Sequence, residues 1–79
     1  MLIHPSETLK EVMEGKNISE QELAQLTQTS EKYVRELLES RRDIYPLFAR
    51  KLEGVFNISA TFWINLQIIY NKEKEDFDE

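Results

Sequence analysis

Four cationic side chains lie close together near the middle of the chain, where they could bind phosphate groups or the edges of bases. They are Lys32, Arg35, Arg41 and Arg42. An arginine guanidinium is planar and offers several N–H donors in a geometry that matches a phosphate or a guanine edge. Residues 30–42 carry a net charge of +1, whereas the whole chain carries −5. The spacing therefore predicts one anion-binding surface in an otherwise acidic protein.

Other kinds of chemistry find little support in the residue types. The chain has one histidine, His4, and no cysteine, so a zinc site of ordinary composition is excluded. His4 has no evident partner for acid–base catalysis, and the carboxylates are scattered or lie near the C-terminus. We therefore expect neither an enzyme nor a protein with a metal, a cofactor or a small-molecule ligand. The absence of cysteine and of a long apolar run favours a cytoplasmic protein without a membrane segment.

The pattern of apolar residues predicts five helices in a single all-α domain. The chain of 79 residues has two glycines and two prolines, and its apolar residues recur at helical spacing. Serine or proline residues mark the predicted helix starts: Ser6, Ser19, Ser30, Pro46 and Ser59. We expect the domain to span residues 1–70. Residues 71–79 carry a net charge of −3 and are expected to form a frayed acidic tail.

The second and third predicted helices could position the cationic residues. The sequence from Ser19 to Glu22 is a capping box, and Ser30 can cap the third helix after a turn of about three residues. Two helices joined so tightly cross steeply and project the second one outward, as in proteins that place this helix in the major groove of DNA. The periodicity turns Val34, Leu37 and Leu38 inward. It leaves these residues outside: Glu31, Lys32, Tyr33, Arg35, Glu36 and Glu39.

Several of these segments resemble HigA-type antitoxins of the lambda-repressor-like (XRE) helix-turn-helix family. His4-Pro5, followed by Glu7 and Leu9, is similar to the "HPGEIL" opening of these antitoxins, and residues 62–67 resemble their "FWLNLQ" element. The helix-turn-helix positions between them also match in spacing, so the resemblance covers roughly residues 4–70. It implies a compact five-helix lambda-repressor-like domain. It further implies a homodimeric repressor that binds operator DNA and neutralises a small, basic RNA-cleaving toxin of the RelE-like kind.

The sequence departs from the family pattern near the expected DNA surface. Gln28 occupies a turn position that is usually glycine, and Ser40 replaces the usual glycine after the third helix. Acidic residues stand at Glu20, Glu31 and Glu36, where they would repel phosphate, although a carboxylate can accept a hydrogen bond from cytosine. A second interpretation therefore stays open. The fold could serve as a protein-interaction module with weak or no DNA binding.

Candidate DNA-binding residues follow from the predicted recognition helix and the loop after it. We expect contacts from Ser30, Lys32, Tyr33 and Arg35 on the helix and from Arg41 and Arg42 to the DNA backbone. For each cation the alternative is an ordinary solvated charge. For Tyr33 the alternative is that the ring only covers the helix.

Protein partners are predicted to use other helices. The fifth helix is apolar on more than one side, so we expect a homodimer contact through Trp63, Ile64 and Ile68. A basic toxin would be attracted by acids on the first helix or in the tail. The candidates are Glu7, Glu11 and Glu14 on the helix, and Asp76 and Asp78 in the tail. The alternative is that the glutamates only solvate an amphipathic helix.

Overall fold

Five α-helices contain most of the residues that the computed structural model describes, which are residues 2–77. The helices are α1 (Pro5–Lys16), α2 (Glu20–Thr27), α3 (Glu31–Leu38), α4 (Pro46–Phe56) and α5 (Ala60–Phe77). No strand occurs within the described range. The predicted all-α, five-helix architecture is therefore confirmed, and α2 and α3 form its helix-turn-helix.

The ends of α2 and α3 follow the local signals in the sequence. The Glu22 amide donates to Ser19 Oγ at 3.2 Å, and the Ser19 amide donates to Glu22 Oε1 at 3.3 Å, which completes the capping box. Ser30 Oγ accepts from the Tyr33 amide at 3.0 Å. Gln28 ends α2 in the left-handed conformation, with φ of 57°. Glutamine costs roughly 1 kcal/mol there relative to glycine, so the tight turn survives the departure from the family pattern.

The start of α1 differs from the prediction, because His4 rather than Ser6 is the cap. His4 Nδ1 accepts from the Ser6 amide at 3.0 Å, and Pro5 occupies the first helical position. Proline fixes its own φ for a helix and keeps the residue before it extended, which places the cap at His4. Ser6 is instead fully buried. Its hydroxyl shares a hydrogen bond of 3.1 Å with that of Ser40, just beyond α3.

The core lies where all five helices meet. Its buried apolar side chains are Leu9, Met13, Leu23, Ala24, Val34, Leu37, Leu38, Ile44, Phe48, Ala49, Leu52, Phe56 and Trp63. In this arrangement α2 packs against α3 and α4, α4 packs against α5, and α1 contacts α3 and α5. Burying a leucine or phenylalanine side chain stabilises the fold by about 1.5–3 kcal/mol. The inner faces of α2 and α3 are thereby fixed to the rest of the domain.

The C-terminal end of α5 lies beyond the predicted one. The sequence predicted a frayed tail over residues 71–79, but α5 continues to Phe77, and every residue from 71 to 77 is exposed. No glycine or proline interrupts this segment, and Lys72 and Asp76 stand four residues apart with opposite charges. The boundary drawn at residue 70 therefore falls inside a continuous helix.

Candidate nucleic-acid interface

Helix α3, the predicted recognition helix, buries one face and exposes the other. Val34 and Leu37 have no exposed surface, and Leu38 is 8% exposed. These three residues hold α3 against the core, as their spacing predicted. Lys32 and Arg35 lie on the exposed face, and Ser30 is exposed at the N-terminal cap. The geometry therefore makes the N-terminal half of α3 accessible to a large polar ligand.

Arg35 is flanked by two of the acids that distinguish this sequence from the family pattern. Its Nε lies 3.8 Å from Glu20 Oε2, and one of its terminal nitrogens lies 3.5 Å from Glu31 Oε1. The Arg35 side chain remains 53% exposed. Lys32 makes no ion pair with any residue from 2 to 77. Exposed ion pairs of this kind contribute little to stability, so these carboxylates act mainly by neutralising charge on the outward face.

Arg41 and Arg42 lie in the loop that follows α3, and both are paired with acidic residues at or near the end of that helix. Arg42 Nε lies 3.2 Å from Glu36 Oε1, and Glu36 is only 16% exposed. An Arg41 terminal nitrogen lies 3.8 Å from Glu39 Oε1, and Arg41 is 69% exposed. A guanidinium has five N–H donors, so each arginine keeps donors free for phosphate. The two guanidinium groups are therefore exposed and able to bind phosphate, although the paired glutamates leave this region with little net charge.

Tyr33 makes more contacts within the fold than the sequence indicated. Its hydroxyl donates to the backbone oxygen of Asp43 at 2.8 Å, and its ring packs edge-on against Phe48 with centroids 5.1 Å apart. Burial raises the pKa of Tyr33 to about 12, and the neighbouring Tyr45 and Asp43 add to the shift. These contacts favour the interpretation that Tyr33 covers α3 and holds the following loop.

Sequence reasoning missed the residue that connects α5 to this loop. Gln67 is 6% exposed. Its Oε1 accepts from the Ile44 amide at 2.8 Å, and its Nε2 donates to Asp43 Oδ1 at 3.2 Å and to Asn71 Oδ1 at 2.9 Å. The signal that could have found it was a polar residue four positions after Trp63, on the inward side of α5. We call Gln67 and its two loop partners, Asp43 and Ile44, the Gln67 clasp.

The predicted dimer residues divide between the core and the surface. Trp63 is fully buried, with its ring against Phe62 and Phe56, so its assignment to an interface is corrected. Ile64 is partly buried, and Ile68 is 56% exposed. Phe62 and Ile69, on the opposite edge of α5 from Ile68, are 41% and 53% exposed. Trp63 is the largest apolar side chain of α5, so its burial in the core removes the most apolar surface from water.

The predicted toxin-binding acids are exposed in the part of the chain that the structure describes. Glu7, Glu11 and Glu14 share the outward side of α1, with Lys10 Nζ 3.3 Å from Glu7 Oε1. Asp76 is exposed near the end of α5. Asp78 lies outside the described residues. The structure therefore brings the three glutamates together on one helix and leaves them open to solvent.

His4 and the acidic residues form no metal site in the described range. Within residues 2–77, no three histidine, cysteine, aspartate or glutamate residues are placed to hold a metal ion. None of the five helices in that range has both the length and the apolar character to cross a membrane.

His4 is 6% exposed and packs edge-on against Tyr70 at 4.8 Å. Burial lowers its pKa despite the nearby Asp43 carboxylate. It joins α1 to α5 within the fold.

Comparison with known proteins gives matches among solved structures. No protein-family model matches the sequence, and a search of curated proteins finds no match. The antitoxin HigA of Pseudomonas aeruginosa, solved with the higBA promoter, is 33% identical, with a TM-score of 0.90 over 95% of this chain and 83% of that one. PA4674 of the same organism, solved with its operator DNA, is 31% identical, with a TM-score of 0.94 over 100% of this chain and 86% of that one.

A third solved structure carries the family name. The addiction module antidote protein of the HigA family from Coxiella burnetii is 30% identical, with a TM-score of 0.84 over 92% of this chain and 80% of that one. The same five-helix fold is thus shared along nearly the whole length at an identity of 30% or more. The chain belongs to the HigA family of helix-turn-helix antitoxins.

Proposed function

We propose that this protein is a cytoplasmic, sequence-specific transcriptional repressor and the antitoxin of a toxin–antitoxin pair. In this proposal a homodimer binds operator DNA in its own promoter, with α3 in the major groove and the following loop on the phosphate backbone. The same protein binds and neutralises a small, basic, RelE-like RNase. It has no enzymatic activity of its own.

The observation that carries the DNA half of the proposal is the placement of cationic residues around one exposed helix. Ser30, Lys32 and Arg35 lie at or near the start of α3, and Arg41 and Arg42 lie just after its end. Base edges are read from the N-terminal part of such a helix, whereas loop arginines hold phosphates. Two relatives with TM-scores of at least 0.90 were solved with promoter or operator DNA, which supports the same ligand here.

The acids beside these cations set the expected strength of binding. Two candidate DNA-binding residues form ion pairs with acids: Arg35 pairs with Glu31, and Arg42 pairs with Glu36. DNA must compete with these carboxylates for the guanidinium groups, and the chain as a whole carries a net charge of −5. Nonspecific attraction to phosphate should therefore be weak, and the operator should be recognised mainly through base contacts.

A titration with DNA tests this half of the proposal. The probes are a labelled fragment from the region upstream of the gene and a scrambled fragment of equal length. We expect the upstream fragment to bind with an affinity that falls moderately as salt rises, and the scrambled fragment to bind about 1,000-fold more weakly. Equal, weak binding of both fragments would reject the repressor function.

The second candidate function is a protein-interaction module that has lost DNA affinity. It is favoured by one observation, namely that Arg35, Arg41 and Arg42 are all already paired with carboxylates. The two functions differ in the titration above. A module of this kind would bind neither fragment above background, yet would still capture its protein partner.

The proposed dimer uses α5. Ile68 is 56% exposed and Ile64 is partly buried beside it, so the two could pack against the same residues of a second copy. A two-fold dimer would present two α3 helices to the two halves of a palindromic operator. Sedimentation at micromolar concentration should show a dimer, and a strict monomer would reject this part of the proposal.

The proposed toxin contact is the acidic outward side of α1, with the end of α5 as a second site. Glu7, Glu11 and Glu14 are exposed, and an RNA-cleaving enzyme needs a cationic surface that these residues would attract. Asp76 could contribute from α5. Co-expression with the product of the neighbouring gene, followed by purification through a tag on one partner, tests the contact. Failure to co-purify, or failure to relieve growth arrest, would reject the antitoxin role.

A further inference from the structure

We propose that Gln67 is a positioning residue for operator binding. Through the Gln67 clasp it holds Asp43 and Ile44, and so fixes the loop that carries Arg41 and Arg42. The inference rests on the proposed DNA-binding function and adds to it a residue on α5 that lies in the core rather than on the DNA surface.

The hydrogen bonds of the clasp require an amide side chain. The Ile44 backbone N–H can only donate, so the atom facing it at 2.8 Å must be an acceptor, Oε1. The Asp43 carboxylate, at 3.2 Å, can only accept when ionised, so it faces Nε2. The second hydrogen of Nε2 points to Asn71 Oδ1 at 2.9 Å. Every donor of the Gln67 amide is thereby used, and a carboxylate in its place would face Asp43 with no proton to share.

The clasp holds the loop at the residues that directly follow Arg41 and Arg42 in the chain. Arg42 immediately precedes Asp43, whose backbone oxygen also accepts from the Tyr33 hydroxyl at 2.8 Å. Asp43 is therefore held from α3 and from α5 at once. Without Gln67, the Ile44 amide would be buried with no acceptor from α5, since Ile44 is 2% exposed. A loop that must become ordered on binding loses conformational entropy, which weakens its affinity.

The first test variant is Gln67→Glu, which sets a carboxylate against Asp43. Its matched control is Asn65→Asp, which adds the same charge at an exposed position of the same helix. We expect Gln67→Glu to bind the upstream DNA fragment about tenfold or more weakly than Asn65→Asp. The fragment used is the labelled one described above.

The second test restores the hydrogen bond between positions 43 and 67 with donor and acceptor exchanged. In the double variant Asp43→Asn/Gln67→Glu, the new amide at position 43 can donate to the new carboxylate, and the net charge equals that of the wild type. We expect it to recover operator affinity to within about threefold of wild type. Asp43→Asn alone should stay near wild type, because its amide oxygen still accepts from Gln67. Recovery would show that the loss in Gln67→Glu arises from the contact between positions 43 and 67 and not from the added charge alone.

Two results would overturn the inference. One is Gln67→Glu binding DNA as well as Asn65→Asp does, and the other is a folded double variant that remains as weak as Gln67→Glu. If the wild type binds no upstream fragment, the proposed function fails and the DNA part of the inference falls with it. Hydrogen exchange of the Ile44 amide in Gln67→Glu against Asn65→Asp then tests the clasp separately. Faster exchange is expected, and equal rates would show that Gln67 does not hold the loop.

Discussion

The outward faces of α3 and α5 differ in what they offer a ligand. The face of α3 is charged, and its arginine is balanced by nearby carboxylates. The surface of α5 exposes large apolar side chains on both sides of its buried stripe, with Ile68 and Ile69 each more than half exposed. A charged, exposed face suits a polar polymer, whereas exposed apolar side chains gain most from contact with another protein. The contrast supports the proposal that α3 contacts DNA and that α5 contacts a second protein chain.

The largest expected effect concerns the inner side of α5. Replacing Trp63 by alanine should lower the free energy of unfolding by about 3–5 kcal/mol, because the side chain is fully buried in the core. Trp63→Phe should cost much less, since the indole N–H has no hydrogen-bond partner within the described residues. Urea denaturation measures both variants. Phe62→Ala, at a position 41% exposed, is the control and should be the mildest of the three.

The next prediction decides which edge of α5 meets a second copy. Ile68→Lys should weaken dimer association at least about tenfold, because it sets a charge into the proposed apolar contact. Ile69→Lys, at an equally exposed position on the other edge, should leave the dimer intact. Analytical ultracentrifugation distinguishes the two. Dissociation by Ile69→Lys alone would move the interface to the Phe62 and Ile69 side.

Much of the α3 side could be predicted from sequence, because its signals are local. The capping box at Ser19 and the left-handed Gln28 need only a few neighbouring residues to be recognised, and the structure has both. By contrast, which apolar side chains of α5 are exposed depends on how the other helices pack against it. Periodicity alone could not show that Trp63 enters the core while Ile69 stays outside. The Gln67 clasp was equally hidden, since its partners stand 23 and 24 positions away.

A smaller effect is expected from the acids that neutralise the α3 face. Glu36→Gln should release Arg42 from its ion pair and strengthen operator binding about three- to tenfold at low salt. Glu14→Gln on α1 makes the same change in charge far along the chain from the ion pair and is the control. Fluorescence anisotropy at two salt concentrations compares the variants. Weaker binding by Glu36→Gln would instead point to a direct contact between Glu36 and a base.

The smallest expected effect is a dependence of stability on alkaline pH. The pKa of Tyr33 is raised to about 12 in the fold, against an ordinary value of 10.0. The unfolded chain therefore loses this proton first. The contribution of Tyr33 to stability is fully present below pH 10 and is lost as pH rises through about 12. Urea denaturation at several pH values should show this loss for wild type but less of it for Tyr33→Phe. An identical alkaline decline in both proteins would contradict the assignment.

The most direct test of the DNA-binding account is the salt dependence of operator binding by Arg41→Ala/Arg42→Ala. If both arginines hold phosphates, the variant should bind every DNA fragment more weakly. The slope of log affinity against log salt should also flatten by about 0.9 for each phosphate that the variant leaves without its arginine. Lys10→Ala/Lys16→Ala removes the same charge from α1 and should keep the wild-type slope. A double-arginine variant with wild-type affinity and slope would contradict the account, because the loop would then not touch DNA.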